Sequence, residues 1–145
     1  MATALEVTAV QRYGRDLVAP ELFDRLVDFC AEEYGLELSV AKRVMDQGLA
    51  FLDVMGSTGV GLSPSKQVDP AWHTFMLHSE EYTRWCMERY GRYIHHAPKS
   101  RYRDKATMVD VVGKIREAGY EVDESLWGLK ADCNAPTCCG DGPCC

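Results

Sequence analysis

All four histidines of this chain fall within 24 residues, as His73, His78, His95 and His96, with Tyr82 and Cys86 among them. Imidazole and thiolate are the usual protein ligands of zinc and related ions. Whether these groups can converge depends on the backbone between them. On an unbroken helix His78, Tyr82 and Cys86 recur every four residues and share one stripe. His73 lies five residues before His78, about 140° round a helix, so the two meet only if the chain bends between them. Ser79 can re-cap a helix and so supplies a place for a bend. His95 and His96 stand in a stretch that reads as extended, where neighbouring side chains point to opposite sides, so one of the pair would join a site. The candidate ligands are therefore His73, His78, Cys86 and His96. The spacing is no standard zinc motif, since H-E-x-x-H and C-x-x-C are both lacking here. Two other readings use the same residues. Asp69, Trp72 and His73 could be a hydrogen-bonded helix start packed on the core, or Asp69 could orient His73 as a general base.

A second group of thiols closes the chain. Cys133, Cys138, Cys139, Cys144 and Cys145 repeat a C-x4-C-C step within the last 13 residues. Adjacent cysteines pair with each other only through a strained ring, so they serve different partners or bind a soft metal as thiolates. Zinc or copper(I) is the expected cofactor of this segment, and redox chemistry or covalent modification are the alternatives. Seven cysteines make an odd count, and the first residues lack the basic flank and apolar block of a signal peptide. A secreted disulfide framework therefore fits poorly, and the cytoplasm is the expected compartment.

The elements that must position these groups are legible from apolar spacing. Residues 1–18 read as a ragged helix through Leu5, Val7, Val10, Tyr13 and Leu17. A clearer helix runs from Pro20, a suitable first helical residue, to Tyr34, with Leu22, Phe23, Leu26, Val27 and Cys30 on its buried side and Gly35 as a stop. Ser39 reads as the cap of the next helix, buried through Val40, Val44, Met45, Phe51, Leu52 and Met55. Gly48 weakens that helix locally but would admit a close neighbour. Residues 56–68 form a Gly-rich loop. It fails as a phosphate-binding loop, because no Lys directly follows its last Gly and a helix, not a strand, precedes it. Asp69-Pro70 starts a short helix over 70–77, and Ser79 starts another over 80–90. Asp104 is expected to cap a last helix to Ala118, after which Tyr120, Val122, Leu126 and Trp127 fold back on the core. The reading is all-α: a compact bundle of five to six short helices over residues 1–128, with a disordered Cys-rich tail over 129–145.

The string Val68-Asp69-x-x-Trp72-His73-Thr74-Phe75-x-Leu77, then Tyr82, Cys86 and Gly91-Arg92-x-Ile94-His95-His96, resembles a family of small uncharacterised actinobacterial proteins. These share a run from the Leu62-Ser63-Pro64-Ser65 loop onward, a stretch like Gly119-Tyr120-Glu121-Val122-Asp123-Glu124-Ser125-Leu126-Trp127, and a Cys-rich end. More distantly, residues 69–96 resemble the N-terminal domain of plant and fungal glycine-rich-domain proteins. Asp69, Trp72, His73, Tyr82 and His96 match that pattern by position. Phe75 stands where the distant group has a second histidine, and His95 where it has an acid. The resemblance implies a mostly helical fold and supplies no activity.

Composition bounds the rest. A chain of 145 residues, 46% hydrophobic and 26% charged, has room for one ordinary core. No apolar run approaches the roughly 18 residues of a membrane helix. A formal charge of −6 disfavours general nucleic-acid binding. The charge is uneven. Residues 20–37 are acidic, and residues 99–105 carry Lys99, Arg101, Arg103 and Lys105 against Asp104. Either stretch could contact a protein partner. The composite expectation is a non-enzymatic metal-binding protein using the tail and a His/Cys cluster. The alternative is an adaptor domain in which the His-Trp motif only builds the fold.

Overall fold

The structure, a computed structural model, describes residues 10–97 and 107–129. Those residues form five α-helices and two short 3-10 turns, with one isolated bridge and no sheet. The chain is all-α. Helix α1 spans Pro20–Tyr34 and α2 Leu38–Thr58; α3 spans Asp69–Leu77, α4 Ser79–Tyr90 and α5 Met108–Glu117. None of these helices is long and apolar enough to cross a membrane.

Helix α2 is the axis of the molecule. Its residues from Gln47 to Met55 are all buried, apolar nearly all round, and such a helix must be wrapped by its neighbours. Helices α1, α3, α4 and α5 pack around it. Gly48 is where α3 comes closest: a Cβ there would sit 2.2 Å from the Cβ of Ala71, so only a glycine admits the contact. Phe51 then meets Trp72 on α3 and Trp127 near the C-terminal end, at ring-centre separations of 5.7 and 5.8 Å.

Three sequence expectations are corrected. Residues 10–18 do not make a helix. Arg12 instead spends its backbone groups across the chain, its N–H on Gly119 O at 2.9 Å and its carbonyl on the Glu121 N–H at 3.1 Å; only Gly14–Leu17 makes a 3-10 turn. Residues 1–9 lie outside the described residues. Helix α2 begins at Leu38, one residue before the expected Ser39 cap. Helix α5 begins at Met108, where Thr107 and Asp110 form a reciprocal capping box, and Asp104 lies outside the described residues.

The end of the described chain is fixed by polar groups. Gln47, 2% exposed, accepts from Trp127 Nε1 at 2.8 Å and from the Asp123 N–H at 3.0 Å, and donates to Glu121 O at 2.9 Å. Buried Asp53 ties three other segments together. It accepts from the hydroxyls of Tyr90, at 2.5 Å, and Tyr120, and pairs with Arg12 and Arg89. Burial alone would raise its pKa, but the two hydroxyls and the two guanidinium groups outweigh it and hold the carboxyl below the usual range.

Candidate metal centre

Helix α3 carries Asp69 and His73 four residues apart, hence on one face. Asp69 sits in the first turn, where a carboxylate suits the helix dipole. His96 arrives from the irregular segment 93–97. Its Nε2 lies 2.9 Å from Asp69 Oδ1 and 3.0 Å from His73 Nε2, and His73 Nε2 lies 3.2 Å from Asp69 Oδ2. No other group of three or more metal-ligating side chains comes together among the described residues.

A connected aromatic scaffold holds His96 in place. Its ring lies flat on the indole of Trp72, with centres 3.9 Å apart and planes 5° from parallel. Trp72 Nε1 donates to Tyr82 Oη at 2.9 Å, and Tyr82 donates to Ile94 O at 2.6 Å, both buried. Burial pushes the Tyr82 phenol far above its ordinary pKa, so it remains a hydroxyl and can donate. The relay fixes the peptide two residues before His96. Trp72, Tyr82 and Ile94 are therefore parts of one apparatus whose exposed end is Asp69, His73 and His96. The side chains of those three are 34%, 45% and 20% exposed, so the cluster lies partly buried at the edge of the core.

The other sequence candidates are not in this cluster. The bend expected near Ser79 occurs at His78, which ends α3 and precedes α4. It lies after His73 rather than between it and a second ligand, so it cannot fold His78 back to meet His73. His78 Nδ1 turns instead to Thr74 O at 2.8 Å, with its ring edge-on to Phe29. Cys86 is fully buried beneath Tyr82. Burial raises its pKa, only partly offset by the nearby Ile94 amide and Tyr82 hydroxyl, so it stays a thiol and is a poor ligand. As the alternation predicts, one of the two neighbouring histidines joins: His95 is exposed and lies against Tyr93. Cys133, Cys138, Cys139, Cys144 and Cys145 lie outside the described residues, as does the basic stretch 99–105. Asp69 is the member of the cluster missing from the sequence-derived set. Its signal was the i,i+4 spacing to His73, which also fits a helix cap.

The family model described as UCP032817-like matches residues 21–113, from α1 through the first half of α5 and across the whole cluster. The chain belongs to the UCP032817-like family. The match covers every residue of this family member's cluster and of the relay behind it. No curated protein and no solved structure matches the chain.

Two imidazole nitrogens and a carboxylate in mutual contact constrain the chemistry. With a proton on each Nε2, both nitrogens can donate to Asp69, but two donors then touch at 3.0 Å. With a proton on one only, the bare nitrogen faces a carboxylate oxygen. A cation in the middle makes all three edges favourable together. The two nitrogens stand 3.0 Å apart and approach different oxygens of Asp69, His96 meeting Oδ1 and His73 meeting Oδ2, and one donor atom from each residue lies within 4.8 Å of the other two.

Proposed function

We propose that this domain binds a divalent transition metal, with Asp69, His73 and His96 as its ligands. The observation that carries the reading is the mutual approach of these three donors, with the His96 ring seated on Trp72 and the chain before it held by the buried Trp72–Tyr82–Ile94 relay. Two imidazoles and one carboxylate form a borderline-to-hard set that suits zinc(II) or a neighbouring divalent ion, whereas copper(I) prefers sulfur. A copper(I) role would fall to the thiols beyond Cys133. The resemblance to actinobacterial and glycine-rich-domain proteins supports the choice of ligands. By position it carries Asp69, His73 and His96, whereas the departures, Phe75 and His95, both lie outside the cluster. The chain's place in the cell, expected to be the cytoplasm, is consistent with an unpaired Cys30 and Cys86 in the core.

Isothermal titration of the reduced full-length protein with zinc(II), with elemental analysis after desalting, tests the reading. One equivalent should bind, and His73→Ala or His96→Ala should weaken that event on the order of 100-fold or more. Unchanged binding in both variants would remove the centre. A second reading, Asp69–His73 as a general-base pair, draws on the exposed His73 ring. It requires an activity that survives chelation.

A further inference from the structure

The C-terminal ends of α2 and α4 and the segment at Arg12 enclose an open cavity of about 670 Å³. None of Asp69, His73 and His96 lines it. Its walls are mostly charged or hydroxyl-bearing, whereas the usual pocket for a drug-sized molecule is largely apolar. A ligand suited to it is small and charged.

Gly56 opens one wall. A Cβ there would sit 2.5 Å from the Tyr90 ring, so the glycine lets that ring lie across α2 and its hydroxyl reach Asp53. Asp53 is already satisfied. It accepts from the hydroxyls of Tyr90 and Tyr120, from Ser57 Oγ at 3.3 Å and from Arg12 at 3.3 Å, which fills the roughly four lone-pair sites of a carboxylate. Arg89 is left over. It stands 3.6 Å from Asp53, beyond hydrogen-bond range, and its Nε reaches Tyr90 Oη only at 3.4 Å. The Arg12 and Arg89 side chains are 46% and 36% exposed, and the shared carboxylate keeps their guanidinium nitrogens within about 9 Å of each other. Asp53 thus holds both groups at one place but cancels only one of their charges. Arg92 adds a third guanidinium beside the same wall, donating to Met55 O at 3.0 Å and Gly56 O at 3.1 Å. Glu88 is the opposing charge on the cavity.

We propose that this cavity binds a phosphate group, as the free ion or as a small phosphomonoester, between the Arg12 and Arg89 guanidinium groups. Two forks from separate elements match the separate oxygens and double charge of a phosphate better than a single planar carboxylate. Asp53 positions the two arginines. The site does not depend on the metal reading above.

Amide NMR of the full-length protein, freed of metal on a chelating resin, reads the binding of inorganic phosphate. The Gly56, Ser57 and Tyr90 signals should move saturably, and affinity should fall as salt is added. Arg89→Gln, with its fold checked by circular dichroism, should weaken binding about tenfold or more. Glu88→Gln, an exposed change, should tighten it roughly two- to fivefold by removing a like charge. Glycerol phosphate binding more tightly than inorganic phosphate would mark an organic ester as the ligand, and the reverse order the free ion. Acetate binding as tightly as phosphate, shifts that never saturate, or equal affinity in wild type and Arg89→Gln would each overturn the proposal. So would a Glu88→Gln protein that binds phosphate no more tightly than wild type, which keeps the test decisive even if Arg89→Gln fails to fold.

Discussion

The Tyr82 hydroxyl has two tasks: it accepts from Trp72 and donates to the carbonyl that sets the path to His96. Tyr82→Phe leaves an indole N–H and a carbonyl buried without partners, at a cost of about 2–3 kcal/mol in unfolding free energy. If the relay positions His96, zinc affinity should also fall about 10- to 100-fold, as it does when outer partners of a metal ligand are removed. Urea unfolding and calorimetric titration separate the two: lost stability with unchanged affinity would make Tyr82 a core residue only. Asp53 offers a pH test unconnected with the metal. Its folded pKa lies below the ordinary value near 4. Its stabilisation is therefore full above about pH 4 and is lost as pH falls through the lower folded value. Asp53→Asn should cost about 2–4 kcal/mol at neutral pH, and its unfolding free energy should decline less than the wild type's on acidification. Equal acid slopes in the two proteins would contradict the assignment.

Among the elements, the contact of α2 with α3 has the most leverage on the site, because α3 carries two of the three cluster residues, Asp69 and His73. Gly48 makes that contact possible. Adding one methyl in Gly48→Ala sets two carbons 2.2 Å apart and forces α3 outward. The expected cost is about 1–3 kcal/mol from overpacking, despite alanine's better helix propensity. Because Asp69, His73 and the Trp72 indole under His96 all move with α3, while Tyr82 on α4 holds the chain at Ile94, zinc binding should weaken as well. A stabilised variant that binds zinc normally would show that the interface has slack. The junction at His78 matters for a related reason. The change of direction there lets α4 lay Tyr82 under Trp72 and Phe75, whose ring lies 5.1 Å from that of Tyr82, centre to centre.

For the whole molecule, a ligand that binds only the folded chain stabilises it by mass action. The triad joins α3 to the segment after α4, so the unfolded chain has no preformed site. Zinc at about 100 times its dissociation constant should raise the unfolding free energy by about 2.7 kcal/mol, read as a rise in Tm that disappears in His96→Ala. A zinc-independent Tm would argue against specific binding to the native state. The same view explains Asp53 and Gln47. Each joins segments that lie far apart in sequence, so the long helix α2 serves as both apolar core and polar anchor for the chain ends.

The residue pattern by itself determined the five helices from Pro20 onward to within a few residues, though not the course of residues 10–18, because apolar spacing, first-turn prolines and stopping glycines act within a few residues. It also determined that His95 and His96 could not both face one site. Only the tertiary structure decided which chemistry-bearing groups meet. His78 and Cys86 shared a stripe with Tyr82 on paper, yet the break at His78 and the burial of Cys86 removed both, while Asp69, readable as a cap, joined His73 and His96. Nor could Asp53 be read as a polar hub within an apolar run, since its partners lie at Arg12, Arg89, Tyr90 and Tyr120. Local preference sets an element's course; which side chains converge depends on how α3 seats against Gly48 and where a buried hydroxyl pins the chain, and both are long-range contacts.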